Sequence, residues 1–268
     1  MALSLRQREI LKRARAEGHV AVETLATAFA VSPQTIRRDL GELCDAHLLA
    51  RIHGGAVLES GIANIYYETR RGLAREAKAA IAEAVAQTIP QGASIFLGIG
   101  TTVEAVARAL AGRRALMVVT NNFNVAQILA DSPEAQIIVT GGQLRPSDGG
   151  LVGEVAAEAI ARFRLDIAIV GISAIDGDGA LLDFDLAEAV VTRAMLACAR
   201  RRILVADATK FARSAPVRVA GLDAFEMIAT DQALPPALAT LAAREQTEVL
   251  LAPLAIEGGE AEESHAAE

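Results

Sequence analysis

The chain has no tryptophan, only two tyrosines and only two cysteines in 268 residues. Cys44 and Cys198 stand singly in Ala- and Leu-rich, helical-looking surroundings, which excludes a CxxC pair and reads both as small buried hydrophobes in a reducing compartment. Long apolar runs are missing too. Stretches such as residues 93–99 and 166–172 fall far short of the roughly 20 residues that a membrane helix needs. Residues 1–16 alternate charged and aliphatic side chains and offer no apolar core for a secretory signal. The expectation is a soluble, cytoplasmic protein with no membrane partner.

Histidine is scarce, and His19, His47, His53 and His265 all lie near one end or the other, so histidine catalysis and zinc binding lack residues across most of the chain. GxxxxGK[ST], HExxH and GxSxG are absent. GIGTTV at residues 98–103 imitates a dinucleotide fingerprint, but Val103 replaces the third glycine and the next strand ends in TNN instead of an acid for ribose. No metal or cofactor is expected. Lysine is rare as well: of 26 basic residues only Lys12, Lys78 and Lys210 are lysines.

What is present is unevenly charged. The formal net charge is −7, yet residues 1–60 hold eight Lys/Arg against seven Asp/Glu, a net of +1. Residues 257–268 carry five acids and no base among Gly and Ala, the composition of a disordered tail. A chain that is acidic overall but cationic at one end would confine nucleic-acid contact to that end.

Residues 6–16 and 22–30 show apolar positions at helical spacing. A third helix starts at VSPQTIRRDL, residues 31–40: Ser32 is a preferred N-cap, Pro33 fits the first turn, and Ile36, Leu40 and Leu43 share one face. Gln34, Arg37, Arg38 and Gly41 then point outward, with Thr35 beside the cap. Arginine suits guanine edges or phosphates and glutamine suits adenine, so this face fits a DNA major groove. A solvated face is the commoner reason for an arginine pair on one helix. Two neighbours favour DNA: the tight turn from Phe29 to Pro33, as in helix-turn-helix units, and LLARIHGGAV (48–57), which reads as a hairpin with Gly54 and Gly55 at its turn and Arg51 and His53 beside it. Residues 1–57 are thus read as a winged helix-turn-helix domain and 58–73 as a linker with a short ordered part. Tyr66 and Tyr67 mark either an interface or the packing of that linker onto its domain.

Residues 74–255 alternate amphipathic helical segments with nearly continuous apolar strands (ASIFLGIG, ALMVVTNN, AQIIVTGG, DIAIVGIS, RRILVADATK), the pattern of an α/β domain on a mainly parallel sheet; 256–268 complete the acidic tail. Ligands in such sheets bind at the carboxyl ends of strands. Those ends offer Gly100-Thr101-Thr102 leading into a helix, Asn121-Asn122, Gly141-Gly142, and Lys210 after Asp207. Small, hydroxylated ends suit an anion held by backbone N–H groups at a helix start. Lys210 would supply compact charge unless it pairs with Asp207, and Arg145 is a second candidate anion contact.

The run from EILKRARAEGHV to TIRRDLGEL, followed by HGGA, closely resembles the N-terminal domain of the DeoR family of bacterial transcriptional repressors. IGTT, VVTNN, TGGQLRPSD, LVGE and ADATKF resemble that family's sensor domain, whose fold is related to ribose-5-phosphate isomerase. The resemblance implies that residues 32–43 read DNA, with Ser32, Gln34, Thr35, Arg37, Arg38, Arg51 and His53 in contact. It implies a homodimer or homotetramer on operator DNA. In the isomerases, carboxylates follow a central strand; here VGISAIDGDG offers Gly171 and Ser173 instead, so a binding pocket is expected, with a sugar-phosphate isomerase-like enzyme as the alternative. TNNFNVA, RPSDGGLVGE and LLDFDLAE are similar to members responding to glycerol 3-phosphate, which implies that effector. Gly100, Thr101, Thr102, Asn121, Asn122, Gly141, Gly142, Arg145 and Lys210 would surround it. Asp183 and Asp185 would read hydroxyls unless they only cap the next helix.

Overall fold

The computed structural model describes residues 3–17, 19–46, 48–52, 54–58 and 67–253. The N-terminal unit runs α1 (Leu5–Glu17), β1 (His19–Ala21), α2 (Val22–Phe29), α3 (Pro33–Asp45), β2 (Leu49–Ile52) and β3 (Gly55–Leu58). Ile10, Leu25, Ile36, Leu43 and Leu49 are buried together in its core, the faces that helical spacing assigns inward. Ala30 ends α2 in the left-handed conformation, its N–H and that of Val31 returning to carbonyls of the last turn. Two residues later Ser32 caps α3, its hydroxyl accepting from the Thr35 N–H at 3.2 Å, with Pro33 in the first turn.

The sequence reading misses β1. It pairs antiparallel with β3, so the wing is a three-stranded sheet in the order β1-β3-β2. Gly54 makes the turn, and Gly55 already lies in β3. A Cβ on Gly55 would fall 2.0 Å from the Val20 carbonyl oxygen, so only glycine permits β1 to pair there.

The second unit opens with α4 (Tyr67–Gly72) and α5 (Arg75–Thr88), then β4 (Ser94–Leu97), α6 (Thr101–Leu110), β5 (Met117–Thr120), α7 (Phe123–Leu129) and β6 (Gln136–Val139). A ribbon, β7 (Gln143–Arg145) and β8 (Gly150–Val152), leads to α8 (Glu154–Ile160) and β9 (Leu165–Val170). β10 (Ala174–Ile175), β11 (Ala180–Asp183), α9 (Leu186–Cys198), β12 (Ala199–Val205), β13 (Val217–Gly221), β14 (Met227–Thr230), α10 (Pro236–Arg244) and β15 (Glu248–Leu251) complete it.

Seven strands form one parallel sheet in the order β15-β14-β12-β9-β4-β5-β6. Both faces are covered: Ile95 and Leu97 pack with α5 and α6, while Phe96 between them packs with α8 and α9. Two-sided burial is why these strands read as unbroken apolar runs. The strand order reverses between β4 and β9, and such a reversal opens a crevice beyond the carboxyl ends of the two strands.

The linker expected at 58–73 is in part structure. Leu58 belongs to β3, and α4 packs on the second unit, where the Tyr67 hydroxyl lies 2.9 Å from both Glu104 carboxylate oxygens. Tyr67 therefore ties this segment to its domain. Tyr66, the rest of residues 59–66 and the acidic tail lie outside the described residues.

Candidate functional site

On α3, Ser32, Gln34, Arg37 and Arg38 are exposed, Thr35 is half-buried, and Ile36, Leu40 and Leu43 face the core. The two arginines are held lightly: Arg38 Nε lies 3.3 Å from Glu42, and Arg37 lies 3.8 Å from Glu23. Such exposed pairs contribute about 0.2–1 kcal/mol and yield readily to phosphate. Arg51 on β2 is exposed, and its guanidinium stands 3.7 Å from the position a Gly41 side chain would take, which sets it beside α3. His53 lies outside the described residues. Behind this surface, Arg6 Nε binds Asp39 at 2.5 Å and Gln7 binds Glu42 at 2.7 Å, clamping α1 across α3.

At the crevice between β4 and β9, the chain forms a narrow cleft of about 20 Å³, lined by Arg70, Gly100, Thr101, Thr102, Ser173, Asp183, Glu188 and Lys210 among others. Gly100 sits at φ 129° and ψ 149°, a conformation open essentially to glycine alone, and so turns the chain sharply into α6. The first N–H groups of α6 have no partner within the helix and face this end of the sheet.

Four of the residues predicted from sequence meet in the cleft with Gly100: Thr101, Thr102, Asp183 and Lys210. Lys210 is half-buried, and among the described residues no hydrogen bond or ion pair reaches its ammonium. Asp207 does not pair with it; its carboxylate accepts from the N–H and hydroxyl of Thr209. Burial draws the Lys210 pKa down to about 7; the Asp207 charge opposes this, and Arg213, Lys78 and Arg70 add to it.

The other predicted residues stay outside the cleft lining. Asn122 caps α7 through bonds from the N–H groups of Asn124 and Val125, and the Asn121 amide donates to the Leu151 carbonyl. Gly141 and Gly142 stand against Val155 and Ala156 of α8. Arg145 is consumed by carboxylates: it binds Asp148 at 2.9 and 2.8 Å, Asp185 at 2.6 Å and Glu188 at 2.5 Å. Four of its five N–H groups are thereby taken by acids. Asp185 also caps α9, accepting from the Ala187 N–H at 2.8 Å.

Three cleft residues escaped the sequence reading of the ligand site. Arg70 comes from the segment read as linker; its Nε is buried without a partner among the described residues, and its Nη2 reaches Asp148 at 3.3 Å. Glu188 comes from α9, one turn beyond its cap, and burial pushes its pKa up to about 7, with Asp183 adding and Arg145 opposing. Ser173, which the sequence offers at a strand end and in place of an acid but not as a named ligand contact, donates to Asp183 at 2.9 Å. Burial also raises the Asp183 pKa. The cleft therefore holds carboxylates after all, supplied by β11 and α9 and not by the loop after β9. The only other signal for Glu188 was its place three residues after the cap in DLAE.

Residues 6–61 match the family described as DeoR-like helix-turn-helix domain, and residues 73–232 match that described as DeoR C terminal sensor domain. The chain is 44% identical to the glycerol-3-phosphate regulon repressor of Haemophilus influenzae over 94% of this chain and 98% of the relative. It is 44% identical to the Escherichia coli K12 protein of the same name over 86% and 92%, and 41% identical to the E. coli repressor CsqR over 92% and 94%. Among solved structures it is similar to ribose 5-phosphate isomerase A of Methanocaldococcus jannaschii, with a TM-score of 0.40, 14% identity and coverage of 52% and 55%. Another is eIF2B beta of Chaetomium thermophilum, with a TM-score of 0.40, 18% identity and coverage of 57% and 48%. With a capped helix bearing exposed arginines beside the wing, a charged cleft at the switch point of a parallel sheet, and matches over both units, the chain belongs to the DeoR family of bacterial transcriptional repressors.

Proposed function

We propose that this chain represses a glycerol or sugar catabolic regulon by binding operator DNA through α3 and its wing, and leaves the operator when glycerol 3-phosphate enters the cleft. It acts in the cytoplasm as a homodimer or homotetramer, without cofactor or turnover. The observation that carries the ligand assignment is Lys210: a half-buried ammonium without a bound partner among the described residues, beside Arg70, under the first turn of α6. A phosphate there would meet two cations and the positive end of a helix. The names of the relatives at 44% identity support glycerol 3-phosphate as the metabolite.

The size of the cleft supports coupling. About 20 Å³ holds little more than one water, so a three-carbon phosphate enters only by moving a wall. One wall is α4, the first described element after residues 59–66 that lead on from the wing. A ligand that binds the opened arrangement better shifts the population toward it, and operator affinity changes by that coupling energy.

The decisive experiment titrates the protein onto its upstream DNA by fluorescence anisotropy, then adds glycerol 3-phosphate, with fructose 1-phosphate, ribose 5-phosphate and inorganic phosphate in parallel. Release by glycerol 3-phosphate alone is the expected result. Unchanged operator affinity at saturating ligand would sink the coupling. The presence of Glu188, Asp183 and Lys210 in one cleft favours a second reading, an isomerase-like proton transfer; consumption of ribose 5-phosphate, abolished by Lys210→Ala, would support it over the first.

A further inference from the structure

The cleft is bipolar. Lys210, Arg70 and the α6 start make its cationic part, while Asp183, Glu188 and Ser173 bring acceptors and a hydroxyl to the same small space. Neither carboxylate is fully used. Asp183 is 6% exposed, and its Oδ1 takes both the Ser173 hydroxyl, at 2.9 Å, and the Phe184 N–H, at 2.7 Å. Among the described residues, none donates to Oδ2. Glu188 gives Oε2 to Arg145 at 2.5 Å, and no described residue donates to its Oε1.

These two acceptor oxygens, without a donor among the described residues, select for O–H groups, because a ligand that displaces their water without donating to them leaves them unpaired. In their ionised forms the same two acids repel any second anion. Arg145 holds Glu188 and Asp185 through one guanidinium, so these acids cannot swing away independently.

We infer that Oδ2 of Asp183 and Oε1 of Glu188 form a hydroxyl-reading subsite, with Ser173 fixing Asp183, so that the cleft accepts a phosphorylated polyol with an uncharged tail and rejects a phosphorylated acid. The inference rests on the sensor reading above and deepens it. Phosphate fixes one end of the ligand at Lys210, and hydroxyl donors fix the other. A carboxylate tail places like charge against both acids. A ketone in place of the middle hydroxyl presents a lone pair where a proton is needed.

Calorimetry on the full chain tests this with glycerol 3-phosphate, dihydroxyacetone phosphate, 3-phosphoglycerate and inorganic phosphate. The wild type should bind glycerol 3-phosphate on the order of tenfold tighter than dihydroxyacetone phosphate and a hundredfold tighter than 3-phosphoglycerate. Asp183→Asn and Glu188→Gln should each lose about tenfold for glycerol 3-phosphate and narrow the gap to 3-phosphoglycerate. Their affinity for inorganic phosphate, held or raised because one acid has left the cleft, reports an intact cleft. Ser173→Ala, which leaves both carboxylates in place, should weaken glycerol 3-phosphate in the same selective way. Equal wild-type affinity for glycerol 3-phosphate and 3-phosphoglycerate overturns the subsite, as do wild-type affinities in all three variants. Failure of the wild type to bind any of the four, inorganic phosphate included, removes the sensor reading itself and the subsite with it.

Discussion

Among the described residues, no hydrogen bond or ion pair reaches the Lys210 ammonium, although it lines the cleft. Its pKa is lowered from 10.5 to about 7, so between those values the unfolded chain holds a proton that the folded chain has released. This group's contribution to stability is therefore lowest below about pH 7 and rises with pH up to about 10.5. Lys210→Met should melt higher than the wild type at about pH 6, with the difference closing toward pH 10, while losing release by glycerol 3-phosphate. Melting curves across pH check the first part, and a wild type stabler than the variant at pH 6 contradicts it. Gly55 is the counterpart in the DNA-binding unit. Gly55→Ala drives a Cβ into the Val20 carbonyl and should cost about 1–3 kcal/mol in urea unfolding of the chain, with β1 detached from the wing. The HGGA motif announced this glycine, but only the pairing of β1 explains why a side chain is forbidden.

Elements divide the work of recognition. α3 was legible in full because its signals are local: a hydroxyl cap, a proline in the first turn and one apolar face. Arg37 and Arg38 differ in exposure, 54% against 84% of the side chain, so the two should answer differently to substitution. If Arg38 meets phosphate, Arg38→Ala weakens all DNA alike and lowers the slope of log affinity against log salt by about 1. If Arg37 meets a base, Arg37→Ala relaxes sequence preference at one position at a cost of about 1–3 kcal/mol. Anisotropy against the operator and a scrambled duplex, at several salt concentrations, separates these; no change in either variant removes α3 from the interface. By contrast, β1 and α4 were not legible. Three residues, HVA, carry no readable period, and β1 exists because β3 lies beside it. α4 has six residues and is held by Tyr67 on Glu104 and by Lys78 on the Arg70 carbonyl, contacts made across the fold and invisible to local pattern.

At the scale of the whole molecule, a two-fold assembly would place two copies of α3 in successive major grooves, about 34 Å apart or a multiple of that. Inserting about five base pairs between operator half-sites turns one of them to the opposite face and should abolish tight binding; about ten should restore part of it. Binding indifferent to the insertion would mean that one copy suffices.

The sequence by itself determined a helix-turn-helix unit followed by an α/β unit, the capped helix with arginines on its outer face and the small, polar ends of the parallel strands. Those follow from periodicity, capping and glycine placement, which act over a few residues. Only the tertiary structure decided which of the candidate groups meet. Arg145 and Lys210 look alike as basic residues near strand ends, yet one is surrounded by three carboxylates and the other lines the cleft without a partner among the described residues. Arg70 lies more than a hundred residues before Asp183 and Glu188 in the chain and meets them only through the fold, at the crevice between β4 and β9. Charge placed at long range is fixed by packing, and no local pattern encodes it.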